Sequence, residues 1–256
     1  MKIWHMNGAG NDFMVMDVRG GSYDLEGLAK ILCKQTGADG FMALDTAENA
    51  DFRLHFYNSD GSRGEMCGHG ARCICRFAYD HGIAGQQMVV QTDAGAVLGQ
   101  RLAEDRYRVR LPLPEHMDLQ RKPGIAYVEV GCPHAVQEHN HELWEQAADL
   151  KEGMRALRFD PAFPKGANVD FYRWESADTV QILTFERGVE DFTLACGTGS
   201  GAVAAVLYAQ GKLPGGVLHL RNRGGVLTVS IVGSENDIQQ LGLEGPADVT
   251  EILEMD

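Results

Sequence analysis

Apolar and polar residues alternate along several short stretches of the chain, which is the pattern of half-buried β-strands. FRLHFY at 52–57 and YRVRLPL at 107–113 show this alternation most clearly. The ranges 168–176 and 179–188 are close enough in sequence to form a strand pair. Strands are predicted at 2–7, 13–17, 52–57, 87–95, 96–103, 107–113, 126–131, 168–176, 179–188, 215–225 and 226–232.

Helical periodicity appears at four places, and two of them share an opening motif. Helices are predicted at 24–35, 68–80, 143–157 and 197–210. The second and the fourth each begin directly after a cysteine, within Cys-Gly-x-Gly at 67–70 and at 196–199. Each half of the chain therefore contains mainly strands and one small-residue helix that opens at this motif, which indicates a weak internal repeat.

A polar stretch with three prolines, Pro112, Pro114 and Pro123, indicates a boundary between two lobes. We expect an N-terminal lobe of residues 1–113, to which the last strand within 247–256 can return, and a C-terminal lobe of residues 114–246. A chain of 256 residues is long enough for two such cores. The predicted fold class is α+β, with two similar lobes and an active site in the cleft between them.

The formal charge of −13 excludes two classes of partner. A surface of this sign repels nucleic acid and anionic membranes. No apolar run is long enough for a signal peptide or a membrane span, so we expect a cytoplasmic protein.

Six cysteines raise the question of disulfides, which are rare in cytosolic chains. Cys33, Cys73 and Cys75 lie at helical positions among apolar neighbours, which favours a structural role for them. The cluster Cys67, His69, Cys73 and Cys75 does not have the usual spacing of a zinc site, so we predict no metal.

A cysteine that immediately precedes a helix faces the positive end of the helix dipole and several unpaired N–H groups. Both effects lower the pKa of its thiol. Glycines after it let a ligand approach the backbone, and the N–H groups can hold a carboxylate. Two such motifs suit the inversion of an α-amino acid, in which Cys67 and Cys196 exchange a proton with opposite faces of the α-carbon. Helix N-termini would stabilise the carbanion.

Seven stretches occur in the order typical of one known family. They are GAGNDF (8–13), YNSDGS (57–62), EMCGHGARC (65–73), GCPHAV (131–136), NVDF (168–171), ERG (186–188) and LACGTGSGAVAA (194–205). The chain therefore resembles the diaminopimelate epimerase family of pyridoxal-independent, two-cysteine epimerases. The resemblance covers nearly the whole chain. It implies conversion of LL-diaminopimelate to the meso form without a cofactor, two pseudo-symmetric lobes that each curl a mostly antiparallel sheet around a central helix, and a homodimer.

The resemblance also implies roles for individual residues. Cys67 and Cys196 match the two acid/base cysteines. Arg187 matches the residue that binds the distal carboxylate, and Glu186 lies towards an amino group. The substrate-binding set that the resemblance implies is Asn11, Asn58, Gly68, His69, Cys132, His134, Asn168, Glu186, Arg187, Gly197 and Thr198. Gly68, His69, Gly197 and Thr198 are the backbone donors to the reacting carboxylate in that set.

Taken one at a time, several of these residues have simpler interpretations. Arg187 could be a surface charge, Asn11 and Asn58 could form turns, and His134 could cap a turn after Pro133. A Cys67–Cys196 redox pair is a further alternative. The joint placement of the residues favours the catalytic interpretation.

The sequence departs from the family pattern at three positions. His69 and Cys132 each stand where the family usually has an asparagine, and Met42 stands roughly where the family tends to have a glutamine. His69 keeps its backbone N–H, so the change concerns the distal end of the substrate. One lost polar contact costs about 1–3 kcal/mol, whereas the retained Arg187 makes a charge-assisted contact.

Diaminopimelate is therefore the first expectation for the substrate. The main alternative is a paralogous two-thiol racemase that acts on another amino acid, such as histidine, glutamate or a proline-type substrate. A non-catalytic amino-acid-binding protein and a double-bond isomerase of the phenazine type are hypotheses from other classes.

Overall fold

The computed structural model describes residues 1–64 and 67–254. Glu65 and Met66, the first two residues of the EMCGHGARC stretch, lie outside the described residues, as do Met255 and Asp256. The chain divides into two compact units. The first takes in residues 1–110 and 244–256, and the second takes in residues 111–243.

The described elements follow the chain in this order: β1 (Lys2–Gly8), β2 (Asn11–Asp17), α1 (Leu25–Thr36), β3 (Gly40–Asp45), β4 (Phe52–Asn58), β5 (Arg63–Gly64), α2 (Gly68–Asp80), β6 (Gln87–Thr92), β7 (Gly95–Arg101), β8 (Arg106–Arg110), β9 (Glu115–Lys122), β10 (Ile125–Val130), β11 (Cys132–Glu138), α3 (Ala147–Arg158), β12 (Asn168–Trp174), β13 (Thr179–Glu186), β14 (Asp191–Phe192), α4 (Gly197–Ala209), β15 (Val217–Asn222), β16 (Gly225–Ser234), β17 (Asp237–Pro246) and β18 (Asp248–Glu254).

The first unit is a mostly antiparallel sheet against which two helices, α1 and α2, pack. Its strands lie side by side in the order β18, β1, β2, β3, β4, β6, β7, β8. The pairs β2–β3 and β4–β6 are parallel, and the short β5 pairs with β4. Helix α2 contacts β1, β2, β3, β7 and β8, so it is the central helix of this unit.

The second unit has the same construction. Its strands lie in the order β9, β10, β11, β12, β13, β15, β16, with β11–β12 and β13–β15 parallel. The short β14 pairs with β13. Helix α4 contacts β10, β11, β12, β15 and β16.

The two units therefore repeat one order of elements. Each has a hairpin, a helix that leads to a parallel strand, a second hairpin, a short strand, the central helix, a parallel crossover and a third hairpin. The predicted α+β class and the internal repeat are confirmed. The predicted strand pair 168–176 with 179–188 is also confirmed, as β12 and β13.

The helices begin and end where local chemistry requires it. The Asp24 carboxylate accepts the N–H of Gly27 at the start of α1, and Gly37, at a φ of 77°, ends the helix by donating to the carbonyl of Cys33. The three cysteines predicted to be structural are buried: Cys33 is 3 % exposed, and Cys73 and Cys75 are fully buried. Burial raises the pKa of the Cys73 and Cys75 thiols to about 12.

Several strands were not predicted. Strand β3 has five of its six residues buried, so it shows no alternation of apolar and polar side chains. Strand β9 lies in the proline-containing stretch that was expected to be a boundary. His134, which taken alone could cap a turn after Pro133, lies in strand β11, which follows a tight turn at Gly131 with a φ of 70°. Helix α3 begins at Ala147, four residues later than predicted. In the described ranges 1–64 and 67–254, no helix is long and apolar enough to cross a bilayer.

Candidate active site

Cys67 and Cys196 occupy the same local position in the two units. Each is the residue before a 13-residue helix, with φ and ψ of −129° and 124° for Cys67 and −124° and 117° for Cys196. Each carbonyl accepts the first bond of its helix, from Ala71 N at 2.7 Å and from Ser200 N at 2.9 Å. The duplicated sequence motif is therefore a duplicated structure.

The glycine three positions after each cysteine packs tightly against a strand. A Cβ at Gly199 would stand 2.4 Å from Asp170 Oδ1, and a Cβ at Gly70 would stand 2.9 Å from Met42 Sδ. Both distances are too short for a methyl group. The Cys-Gly-x-Gly spacing therefore brings the start of each helix close to a strand of its own unit, β3 for α2 and β12 for α4.

The first turn of each helix offers backbone donors. The first N–H groups of an α-helix have no acceptor within the helix. These groups belong to the predicted carboxylate donors Gly68 and His69 in α2, and Gly197 and Thr198 in α4. Each helix N-terminus can therefore hold a carboxylate oxygen, which the helix dipole also favours.

Cys196 is a buried thiol, 5 % exposed. Its Sγ accepts the N–H of Gly199 at 3.3 Å and lies 3.5 Å from Thr198 Oγ1. Burial, together with the nearby carboxylates of Glu186 and Asp170, raises the pKa of Cys196 well above its ordinary value. The expectation that the helix N-terminus lowers this pKa is therefore wrong for Cys196, which rests as a protonated thiol.

A chain of three side chains lies under α4. Cys132 Sγ is 3.3 Å from His134 Nε2, and His134 Nδ1 is 2.7 Å from Asp170 Oδ2. His134 and Asp170 are fully buried. The other oxygen of Asp170 accepts the hydroxyl of Thr184 at 2.7 Å. Because a carboxylate can only accept, the His134 Nδ1 atom carries a proton.

Asn168 holds this chain in place. Its Oδ1 accepts the backbone N–H of Arg187 at 2.7 Å, which fixes the orientation of the amide. Its Nδ2 therefore faces Cys132 Sγ at 3.2 Å and His134 Nε2 at 3.4 Å. Cys132 Sγ also lies 3.6 Å from the hydroxyl of Thr198.

The electrostatics of this chain favour a charged pair. Burial alone would lower the pKa of His134, but the Asp170 carboxylate and the contact with Cys132 together outweigh burial and raise that pKa to about 10. Burial alone would raise the pKa of Cys132, but its hydrogen bond to His134 and the charge on that ring lower the pKa below its ordinary value. His134 is therefore an imidazolium at neutral pH, and Cys132 ionises more easily than an ordinary cysteine.

Glu186 and Arg187 follow each other at the end of β13. Burial raises the pKa of the Glu186 carboxyl above its ordinary value. The Arg187 side chain is exposed, and its Nη1 donates to the carbonyl of Lys165 at 3.1 Å. Its guanidinium is thus near the surface of the second unit, at the start of a turn.

The predicted residues of the first unit lie at the ends of its strands and helix. Asn11 begins β2, and its Nδ2 donates to Asp39 Oδ2 at 3.4 Å. Asn58 ends β4 and donates to Ser62 Oγ at 2.9 Å. His69 is 3 % exposed, and burial holds its pKa well below the ordinary value, so the ring is neutral.

The second unit thus brings five of the predicted residues into one network of contacts: Cys132, His134, Asn168, Cys196 and Thr198. Asp170 and Thr184 complete the network and were not predicted as site residues. The signal for Asp170 was its place two residues after Asn168, because side chains at i and i+2 of a strand share a face. Cys132 and His134 have the same spacing on the neighbouring parallel strand.

Comparison with known proteins shows the family. The profile of the family described as "Diaminopimelate epimerase" matches residues 3–111 and 126–247. The chain belongs to the diaminopimelate epimerase family. Its relatives include the diaminopimelate epimerase of Chlorobaculum tepidum, which is 36% identical over 94% of this chain and 96% of that protein. The diaminopimelate epimerase of Aquifex aeolicus is 36% identical over 96% of this chain and 94% of that protein.

Solved structures share the fold at low sequence identity. A phenazine biosynthesis protein of the PhzF family from Bacillus anthracis is similar with a TM-score of 0.76 at 15% identity, over 100% of this chain and 98% of that chain. A hydroxyproline epimerase from Agrobacterium vitis is similar with a TM-score of 0.70 at 17% identity, over 99% and 90%. At this identity the likeness concerns the fold alone.

Proposed function

We propose that this protein is an isomerase that inverts one α-carbon of LL-diaminopimelate to give the meso form, with Cys67 and Cys196 as the two proton-transfer groups. The observation that carries the proposal is the duplicated helix start, in which each cysteine precedes a 13-residue helix with nearly the same backbone angles. Full-length relatives named diaminopimelate epimerase support the choice of substrate.

The two thiols must differ in protonation for an inversion. Burial keeps Cys196 protonated, so it is the acid in the resting enzyme. For one stereoisomer, Cys67 as a thiolate removes the α-proton, and Cys196 delivers its own proton to the opposite face. After this step Cys67 is the thiol and Cys196 is the thiolate, so the enzyme is ready for the reverse reaction without any added cofactor.

The carbanion needs stabilisation, because the α-proton of a free amino acid is weakly acidic. The N–H groups of Gly197 and Thr198 supply two preorganised donors to the reacting carboxylate at the start of α4. When Cys196 becomes a thiolate, the N–H of Gly199 already points at its sulfur from 3.3 Å. One helix N-terminus thus stabilises both the charge on the substrate and the charge on the base.

Recognition of the far end of the substrate is proposed for Arg187, Glu186 and Asn168. The exposed guanidinium of Arg187 suits a distal carboxylate, and the Glu186 carboxylate suits an ammonium group. The amide of Asn168 contacts Cys132 and His134, so Asn168 positions these two side chains for substrate binding.

One observation favours a second candidate, a paralogous racemase of another amino acid. Cys132 lies where the family pattern has an asparagine, and its Sγ is part of the charged chain with His134. This arrangement differs from a neutral amide that grips a distal carboxylate. Substrates without a distal carboxylate therefore belong in the test.

The experiment is proton NMR of LL-diaminopimelate with reduced protein in D₂O. We expect loss of the α-proton signal and appearance of the meso isomer. Parallel incubations with histidine, glutamate and proline test the second candidate. Exchange of the α-proton of one of these amino acids, and not of diaminopimelate, would show that this amino acid is the substrate. Exchange with none of the four compounds would contradict the proposal.

Two further properties are part of the proposal. We expect a homodimer in solution, as the family resemblance implies, and a cytoplasmic location. Sedimentation velocity of the purified protein tests the first. Fractionation of cells that produce the untagged chain tests the second.

A further inference from the structure

The second unit holds one thiol besides Cys196, that of Cys132, and inversion does not require it. Two proton transfers need two acid/base groups, for which Cys67 and Cys196 suffice. Cys132 Sγ nevertheless contacts His134 Nε2 at 3.3 Å, and His134 Nδ1 contacts the buried Asp170 at 2.7 Å. This is the order of nucleophile, base and orienting carboxylate that activates a cysteine.

The hydrogen-bond donors around the sulfur favour its ionised form. Asn168 Nδ2 donates to Sγ at 3.2 Å, and the hydroxyl of Thr198 lies 3.6 Å away. The charged and titratable groups that face this site are His134 on β11, Asp170 on β12, Glu186 on β13 and Cys196 before α4. The imidazolium of His134 is in direct contact with Sγ and favours the thiolate, whereas the negative charge of Asp170 opposes it.

The first unit shows that the fold does not require this chain. Asn11 begins β2 as Cys132 begins β11. Phe13 faces the first residue of β3, as His134 faces the first residue of β12. Met42 lies under Gly70, as Asp170 lies under Gly199. The polar and charged chain is thus a feature of the second unit.

Solvent exposure distinguishes Cys132 from the four buried cysteines. Cys132 and Cys67 are partly exposed, whereas Cys33, Cys73, Cys75 and Cys196 are buried. A sulfur that is activated and reachable by a small molecule is the kind that reacts with oxidants.

We propose that Cys132 is a preformed nucleophilic thiolate and a modification site for small hydroperoxides. The thiolate attacks one peroxide oxygen; an S–O bond forms and the O–O bond breaks. The sulfur is oxidised to a sulfenic acid, and the peroxide is reduced to hydroxide or alkoxide. His134 gives its Nε2 proton to that leaving group, so water or an alcohol departs.

Oxidation at Cys132 has a consequence for the catalytic thiol. The Thr198 hydroxyl lies within 3.6 Å of Cys132 Sγ and 3.5 Å of Cys196 Sγ, so one hydroxyl separates the two sulfurs. A sulfenic oxygen on Cys132 would therefore alter the surroundings of the Thr198 hydroxyl, which itself contacts Cys196. Loss of epimerase activity on oxidation rests on the proposed function, but the chemical reactivity of Cys132 does not.

The test is alkylation of the full-length protein by iodoacetamide, with each cysteine-containing peptide quantified by mass spectrometry. An ordinary thiol loses about tenfold in rate for each pH unit below its pKa. We expect the Cys132 rate to change by less than about twofold from pH 8.5 to pH 6.5, because the reactive form is already present. In His134→Gln the rate at pH 6.5 should fall at least about tenfold and the profile should become steep.

A tenfold fall per pH unit for Cys132 in the wild-type protein would overturn the proposal. This profile decides the matter even if His134→Gln does not fold. Hydrogen peroxide with dimedone then traps sulfenic acid, and we expect the adduct on the Cys132 peptide. An adduct on Cys67 or Cys196 with Cys132 unmodified would also overturn it. Labelling needs no turnover, so its result is independent of the epimerase proposal.

Discussion

Gly199 lies directly against the Asp170 carboxylate, so that a Cβ on Gly199 would stand 2.4 Å from Oδ1. Asp170 cannot move away easily, because its two oxygens are held by Thr184 and His134 at 2.7 Å each. The equivalent contact in the first unit joins Gly70 to the thioether of Met42. The two units thus share one close contact, which is rigid in one and flexible in the other.

We predict that Gly199→Ala destabilises the protein by about 1–3 kcal/mol, because the methyl group displaces a fixed carboxylate. Gly70→Ala is the matched control. The Met42 side chain can change its conformation, and alanine favours a helix over glycine by up to about 1 kcal/mol, so the net loss should be smaller. Urea unfolding of both variants measures the difference. Equal losses would contradict the rigid contact.

Asn168 and Asn58 form a second matched pair, because each lies at the end of a hairpin strand: Asn168 begins β12 and Asn58 ends β4. Asn168 is 4 % exposed and accepts the N–H of Arg187, whereas Asn58 is exposed. Asn168→Ala should cost about 1–3 kcal/mol of unfolding free energy, because it removes the acceptor of that N–H. Asn58→Ala should cost less than about 0.5 kcal/mol. A similar small loss for both would show that Asn168 does not hold the turn at Arg187.

His69 should make the protein sensitive to acid. Burial lowers its folded pKa well below the ordinary value, so the unfolded chain binds more protons. The contribution to stability is therefore fully present above about pH 6.5 and is lost as the pH falls through the folded pKa.

The variant His69→Asn removes this group. We expect the wild-type protein to lose about 1 kcal/mol more stability than the variant between pH 6.5 and pH 5.5. Denaturant titrations at the two values give the comparison. If both proteins lose the same amount, His69 is not a buried neutral histidine.

His134 should behave in the opposite way. Against the effect of burial, Asp170 and to a smaller extent Cys132 raise its pKa to about 10, so the ring stays protonated across the neutral range. In NMR spectra of histidine-labelled protein, we expect the ring carbon and proton shifts of His134 to remain at the imidazolium values from pH 6 to pH 9. In Asp170→Asn the same signal should leave those values. A wild-type midpoint near pH 6.5 would contradict the charged pair.

Elements with clear patterns could be predicted from the sequence. FRLHFY alternates in sequence, and it is a strand buried on one face. Both Cys-Gly-x-Gly helices begin at the predicted glycine, because a β-conformation cysteine followed by small residues fixes the start. Strand β3 could not be recognised in the same way. It is buried on both faces, so the pattern that marks a strand is absent.

The charged chain of the second unit could be predicted only in part. No strand was predicted over 132–138, so the His134 side chain could not be placed beside Asn168. The pairing of β11 with β12 sets His134 opposite Asn168, and the strand period then brings Asp170 to the same face. The burial that keeps Cys196 protonated is likewise a property of the packed unit, whereas the helix dipole alone can be inferred from sequence.

Inversion by the proposed route requires that Cys67 and Cys196 both transfer protons. The most direct measurement is α-deuterium incorporation from D₂O into LL-diaminopimelate and into the meso isomer, in wild type, Cys67→Ala and Cys196→Ala, with Cys75→Ala as a control for a buried structural thiol. We predict exchange and isomer formation in wild type and in any folded Cys75→Ala, and no isomer formation in either of the other variants. Isomer formation that persists without Cys67 or without Cys196 would contradict the two-thiol account.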